Sequence, residues 1–279
     1  MHFILITNRP RIAQYACGRG VDWIMVDLET LGKSERQGHL DTVMNTHTVA
    51  DVQNVRNSVP KGRLMARTNP LHKGSQEEID ALIDAGADIL MLPWFHSASE
   101  VREYSEIVDG RVRIHLLAET AGAKEHLRDC CTVKGVERVH IGLNDLSLEL
   151  DRRFMFELLI DGTVEQMAED LKQAGMPFGI GGVARVGEGL LPAERILVEH
   201  ARLGSDAAIL SRTFHRGADS PEDIEASMDF ALELSKLRNI CAAAKRLDNA
   251  GYRENLTAVT SAVAEIRSKL AERKPAAGQ

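Results

Sequence analysis

Two acids, Glu119 and Asp145, stand where short apolar runs end. Ile114-His115-Leu116-Leu117-Ala118 runs into Glu119-Thr120-Ala121-Gly122, and Arg138-Val139-His140-Ile141-Gly142 runs into Leu143-Asn144-Asp145-Leu146-Ser147. Runs of this length, bounded by glycine and polar residues, read as buried parallel strands, which places the two carboxylates on one rim of a sheet. Side by side they repel each other unless something positive lies between them. A hard divalent cation that prefers oxygen ligands, Mg2+ or Mn2+, fits that position. A second reading stays open, in which Glu119 caps the following helix and Asp145 closes a tight turn with Asn144.

The elements that must hold these acids recur along the chain. Strands are expected over residues 3–6, 23–26, 63–66, 89–93, 112–118, 138–142, 178–182 and 207–210. Helical periodicity lies between them at 10–17, 49–59, 76–85, 97–108, 121–131, 163–174 and 192–203. Gly86 stops the 76–85 pattern where a helix end expects it. Strict alternation implies parallel pairing, and eight units close most economically into a (β/α)8 TIM barrel, an α/β fold. An open doubly wound sheet would want a glycine-rich phosphate loop after the first strand, where Thr7-Asn8-Arg9-Pro10 stands instead. The connection 31–48 is long and polar, and loops of that kind are more often functional than idle.

Two amphipathic patterns follow the last strand, 221–247 and 253–274, split by Asn249-Ala250-Gly251. One closes the barrel and the other is surplus. Its apolar positions Val259, Val263, Ile266 and Leu270 need a surface, either the barrel itself or a neighbouring subunit. The expected organisation is a barrel over 1–247, a helical extension over 248–273 that packs on or swaps with a neighbour, and a disordered tail over 274–279.

Composition narrows the function classes. Apolar residues make up 44% and charged residues 27%, and no apolar stretch is long enough for a membrane span. The N-terminus reads as a first strand, not a signal peptide. A net charge of −7 without a basic cluster argues against nucleic acid as a partner. Cys17, Cys130, Cys131 and Cys241 form neither a metal knuckle nor a disulfide framework, which suits reduced thiols in a cytoplasmic protein.

Barrels of this type carry their chemistry at the C-terminal ends of the strands. There the sequence assembles Asp27 and Glu29, Arg67, Pro93 and Trp94, Glu119, Asn144 and Asp145, Gly181 and Gly182, and Arg212. Buried charges need partners, so this set forms either an active site or an ion-pair network. No lysine ends a strand, which removes Schiff-base chemistry, and Ser147 lies in no nucleophile elbow. What remains is metal-assisted chemistry in which Mg2+ chelates a 2-oxo acid and Arg67 steadies the developing enolate oxygen.

Five segments then carry a resemblance: Val26-Asp27-Leu28-Glu29, Ala66-Arg67-Thr68-Asn69-Pro70, Ala87-Asp88-Ile89-Leu90-Met91-Leu92-Pro93, Leu117-Ala118-Glu119-Thr120-Ala121 and Gly142-Leu143-Asn144-Asp145-Leu146-Ser147. In order and spacing the chain is similar to the HpcH/HpaI aldolase and citrate lyase β-subunit family, from about the second strand to the eighth. The resemblance implies a phosphoenolpyruvate/pyruvate-type barrel with Glu119 and Asp145 as metal ligands and Arg67 as the enolate-stabilising arginine. It further implies that Asp27 and Glu29 hold metal-bound water; the residues expected to contact the 2-oxo acid are Arg67, Trp94 and Gly142-Leu143-Asn144. Members make or break a C–C bond beside an enolate, and they are commonly oligomers in which a C-terminal helix crosses to a neighbour.

The chain departs from that pattern at three places. Thr30 stands where bacterial aldolases of the family carry a histidine, Leu117 where a pyruvate-holding glutamine is expected, and Trp94 where the lyase branch often has lysine. His39 in the long connection and His96 after the fourth strand are candidates for the missing acid/base. His115 points into the barrel by strand alternation, as a hydrogen-bonded core residue. Trp94 can lie against a substrate or a subunit. The expected activity is that of a Mg2+- or Mn2+-dependent carbon–carbon lyase acting on a 2-oxo acid, with an aldehyde as its partner, in a cytoplasmic homo-oligomer. Two alternatives are an acyl-CoA lyase or thioesterase of the citrate lyase type, for which no clear basic patch is present, and a metal-stabilised oligomeric binding protein without catalysis.

Overall fold

Strands that are apolar on both faces need cover on both, and here a closed barrel supplies it. In the computed structural model, which describes residues 1–32 and 47–272, eight parallel strands close in sequence order. They are β1 (His2–Ile6), β2 (Trp23–Asp27), β3 (Leu64–Arg67), β4 (Ile89–Leu92), β5 (Arg113–Ala118), β6 (Val136–Ile141), β7 (Phe178–Val183) and β8 (Ala207–Leu210). Outward side chains meet helices such as Ser75–Asp84, which buries Ile79 and Leu82, and Ala98–Val108, which buries Val101, Tyr104 and Val108. Inward side chains fill the lumen: Ile4, Met25, Met65, Ile89, Met91 and Leu117 form one buried cluster, with Ile6, Trp23 and Ile209 against it.

The two-residue alternation of a strand carries each inward series upward to the rim. Met25 is followed on that face by Asp27, Met65 by Arg67, and Leu117 by Glu119. Register brings two of these series together, because Met25 pairs with Met65 and Asp27 with Arg67. The lumen thus carries an apolar cluster below, with the buried His115 beside Trp23, and charged groups above at the rim.

Three sequence expectations change. The 121–131 helix is two short ones, Ala121–Glu125 and Leu127–Cys131, meeting at His126. The 221–247 pattern is also two, Pro221–Ser227 and Phe230–Ala244, the second capped by Asp229, whose side chain accepts from the Leu232 amide at 2.9 Å. Asn249-Ala250-Gly251 is no break. It opens the helix Asn249–Glu272, and the Asp248 carboxylate accepts from the Gly251 amide at 2.9 Å, a capping arrangement that local spacing had disguised as a turn.

That last helix lies on its own chain's outer layer. Val259 and Val263 are buried, and Asn255 Nδ2 donates to the Arg195 carbonyl at 3.1 Å and to Glu199 Oε1 at 2.8 Å on the Ala193–Leu203 helix. Among the described residues no helix is long and apolar enough to cross a membrane.

Three histidines are buried in the neutral form. Burial pushes the His115 imidazole down to about 3, with Arg138 and Arg113 adding to the effect, and burial likewise takes His140 to about 4 and His200 to about 3. Unfolded, each would take up a proton near pH 6.5, so the unfolded state binds more protons on acidification. Stability is therefore fully present above about pH 6.5 and falls as pH drops toward 4, by on the order of 2 kcal/mol per histidine at pH 5. Urea unfolding midpoints between pH 7.5 and 5 check this. A flat profile would contradict it.

Candidate active site

The rim centres on one guanidinium. Arg67 Nε and Nη2 donate to Asp27 Oδ1 and Oδ2, both at 2.7 Å, and Nη1 lies 3.4 Å from Glu29 Oε2. Both acids are buried. The fork-on-fork geometry suits arginine and fixes the plane of its guanidinium. Burial works against the charge on Arg67, but the Asp27 carboxylate, then Glu29 and Glu119, more than offset it and raise its pKa, so Arg67 is a permanent cation. Glu119 thereby belongs to the same electrostatic cluster, although it sits on the fifth strand's end and Arg67 on the third's.

Glu119 and Asp145 are held by different devices. Glu119 follows β5 directly and does not cap the next helix, since Thr120 does so, its Oγ1 accepting from the Ala123 amide at 2.9 Å. Asp145 closes no turn. It lies in the first turn of a helix, Leu143–Glu149, that starts one residue after Gly142 leaves β6. That helix was not foreseen from the sequence; it removes the turn reading for Asp145, as the Thr120 cap removes the cap reading for Glu119. Gly142 brings the two segments together: a Cβ there would lie 2.8 Å from both Glu119 Cβ and Glu119 Oε2, closer than side chains tolerate, so the absence of a side chain makes room for the carboxylate. Asn144 Nδ2 approaches Asp145 Oδ1 at 3.3 Å.

Among the described residues no three His, Cys, Asp or Glu side chains gather tightly enough to enclose a cation by themselves. The chemistry of the donor set still fits Mg2+ or Mn2+. Such ions are commonly held by one or two carboxylates, with water and substrate oxygens completing the shell, and Glu119 and Asp145 offer two buried carboxylates at adjoining strand ends.

Two supporting residues were missed. His47, at the end of the long connection, accepts the Asp27 amide on Nδ1 at 3.0 Å. Asn69 Oδ1 accepts from the amides of Thr30 and Leu31, both at 2.9 Å, while its Nδ2 donates to Glu78 Oε1 at 3.1 Å. No spacing rule joins residues 20 to 40 positions apart, although Asn69 stands in the segment after β3 that already carried Arg67. Of the other candidates, His39 lies outside the described residues. His96 is exposed, 5.8 Å edge-on from Trp94, which is half-buried with a left-handed φ of 50°. His115 is buried edge-on to Trp23, but its Nδ1 has no hydrogen-bond partner, so the expected hydrogen-bonded role does not hold at that atom. Leu117 is buried in the lumen cluster below Glu119. Arg212 opens a 3-10 turn after β8, Arg212–Phe214. A cleft lined by Lys61, Asp88, Arg111, Arg113 and Glu137 opens at the opposite, N-terminal mouth, away from these acids.

Comparison with known proteins places the chain's family and fold. Residues 1–154 match the family model described as HpcH/HpaI aldolase/citrate lyase. No curated protein matches the chain in a sequence search. Among solved structures, the HpcH/HpaI aldolase of Desulfitobacterium hafniense shares the fold with a TM-score of 0.57 at 16% identity, over 89% of this chain and 94% of that one. RipC from Yersinia pestis does so at 0.55 and 15%, over 90% and 97%. Protein CitE from Mycobacterium tuberculosis, in complex with magnesium and pyruvate, does so at 0.57 and 16%, over 92% and 97%. At these identities the structural likeness shows the fold.

Proposed function

The chain belongs to the HpcH/HpaI aldolase/citrate lyase family, and from that membership we propose that it is a divalent-metal-dependent carbon–carbon lyase acting on a 2-oxo acid through a pyruvate-type enolate. The observation that carries the reading is the joint placement of Arg67, bracketed by Asp27 and Glu29, and of Glu119 in the space that Gly142 leaves open. The magnesium and pyruvate in the CitE structure support the choice of metal and substrate class.

In this reading Glu119 and Asp145 hold Mg2+ or Mn2+, which when bound polarises the 2-oxo group. Arg67 donates to the oxygen on which enolate charge accumulates. Asp27 keeps the guanidinium plane fixed, so that little reorganisation is needed as the charge appears. In the cleavage direction a base takes the proton of the 4-hydroxyl and the C3–C4 bond breaks. The hydroxyl-bearing fragment leaves as an aldehyde, and the bonding pair passes to the pyruvate-type enolate, whose carbon is then protonated. We assign the hydroxyl proton to His39, and the contact surface for the 2-oxo acid to Trp94 and Gly142-Leu143-Asn144. The assembly is proposed to be a cytoplasmic homo-oligomer.

Pyruvate release from a 4-hydroxy-2-oxo acid, followed with and without chelator, tests the reading. Release that needs Mn2+ or Mg2+ is expected, and release that survives complete metal removal would overturn the metal role. One variant probes the geometry directly. Gly142→Ala puts a methyl group against the Glu119 carboxylate and should weaken Mn2+ binding at least about tenfold, by analogy with the loss of ligand-orienting contacts. Calorimetric titration with Mn2+ reads it, and an unchanged affinity would show that Glu119 needs no such clearance.

A further inference from the structure

Below the rim, β7 carries an irregularity that the proposed function does not use. Gly179 pairs with Ala207 but Gly182 pairs with Ile209, so three steps on β7 face two on β8, the count of a β-bulge. Inside it Gly181 has a left-handed φ of +43°, and its carbonyl accepts a hydrogen bond from His140 Nε2 at 2.9 Å. The His140 ring lies over the start of the bulge, where a Cβ on Gly179 would fall 2.4 Å from His140 Nδ1 and 2.8 Å from the Ala207 carbonyl. The imidazole therefore fills space that Gly179 vacates, in a buried strand position.

The bulge has a second neighbour. A Cβ on Gly181 would lie 2.8 Å from Leu143 Cδ1, so the Leu143 side chain is seated on the Gly181 backbone. Leu143 is buried and is the first residue of the helix whose third residue is Asp145. A continuous set of contacts thus runs from His140 to Gly181, to Leu143, to the first turn that aims the Asp145 carboxylate.

We propose that His140 is a positioning residue for the metal site: its Nε2–H···O bond to Gly181 sets the bulge on which Leu143 rests and so fixes the direction of Asp145. The proposal rests on Asp145 being a metal ligand. It also assigns the tautomer. Nε2 carries the proton because it faces a carbonyl, and Nδ1, packed against Gly179 and without a hydrogen-bond partner, stays bare. Burial, which takes the imidazole down to about 4, agrees with a neutral ring. His140 touches no substrate in this account and transfers no proton.

The test is Mn2+ affinity of the full chain, read by electron paramagnetic resonance of free Mn2+. It compares wild type with His140→Gln, which keeps an N–H donor at nearly the same reach, His140→Asn, which is too short, and His140→Leu, which has none. Affinity within about threefold of wild type is expected for His140→Gln, and a loss of at least about tenfold for His140→Asn and His140→Leu. Should His140→Leu not fold, the Gln and Asn pair carries the comparison, since both are small polar amides in the same cavity. Equal affinity in the Gln and Asn variants would overturn the positioning role while leaving the metal assignment standing. Mn2+ binding that is unaffected by Asp145→Asn would overturn the metal assignment and this inference with it.

Discussion

Asp145→Asn lowers metal-dependent cleavage of a 4-hydroxy-2-oxo acid by at least about a thousandfold while leaving the fold intact. The first part follows from what a divalent ion does in such a site: it contributes several kcal/mol of stabilisation to charge forming on the substrate oxygen. Loss of one of two carboxylate ligands removes most of that, and loss of a single fixed oxyanion donor already costs about 100- to 1,000-fold. The second part follows from where Asp145 sits. It lies in the first turn of Leu143–Glu149, so its contribution to the helix is a favourable charge at the N-terminal end, worth about 0.3–1 kcal/mol. A large loss of turnover with a small change in thermal midpoint is therefore the signature of a ligand. Steady-state kinetics at saturating Mn2+, alongside a melting curve, separates the two. Undiminished turnover would remove Asp145 from the mechanism.

Arg67→Lys is the second large effect, and it tests the cation instead of the metal. Asp27 receives two parallel bonds from Arg67, with Glu29 beside the third nitrogen. A lysine offers a point charge with no fork, so it cannot hold Asp27 in two places and present a donor to the substrate at once. Turnover should fall by about 100- to 1,000-fold through lost stabilisation of the enolate oxygen. Arg67→Ala is the poorer experiment, because it strands two buried carboxylates and costs about 3–5 kcal/mol of stability. If Arg67→Lys changed only KM and left kcat intact, the guanidinium would be a ground-state binding group rather than a stabiliser of developing charge.

The barrel was legible because its determinants are local. Each strand is a short apolar run that the chain repeats, and alternation alone carries Met25 to Asp27, Met65 to Arg67 and Leu117 to Glu119. The rim acids could thus be placed from sequence with only a face and a strand end. What local pattern does not contain is partnership. Nothing in Val139-His140-Ile141 marks His140 as the donor to Gly181, forty-one positions away, and nothing around His47 marks it as the acceptor for Asp27. The helix carrying Asp145 was hidden for a different reason. It begins immediately after a strand, without a polar cap residue, so the usual start signal was missing and Gly142 read as a strand end. Asn249-Ala250-Gly251 failed in the opposite direction, since residues that favour turns are tolerated in a first helical turn once Asp248 satisfies an amide there.

The long connection after β2 shows the same division between pattern and partner. Its length alone suggested function, and its described end does reach the site, through His47 on the Asp27 amide and Asn69 on the Thr30 and Leu31 amides. These bonds tether the connection to β2 and β3, the two strands that carry Asp27 and Arg67. Glu119 and Asp145, the proposed metal ligands, stand on other contacts, Gly142 beside Glu119 and Leu143 beside Gly181. Arg67 and the proposed metal ligands are thus positioned by contacts on different strands, while Glu119 still acts electrostatically on Arg67.

The central claim, that this site forms a pyruvate-type enolate with a metal at Glu119 and Asp145, is tested most directly by solvent deuterium uptake into the methyl group of pyruvate. The measurement follows the methyl proton signal in D2O with the full chain. The account predicts uptake that requires Mn2+ or Mg2+ and disappears in Asp145→Asn. Mn2+ that binds at these carboxylates without any deuterium entering pyruvate would contradict it, and would mark the protein as a metal-stabilised binding protein instead of a lyase.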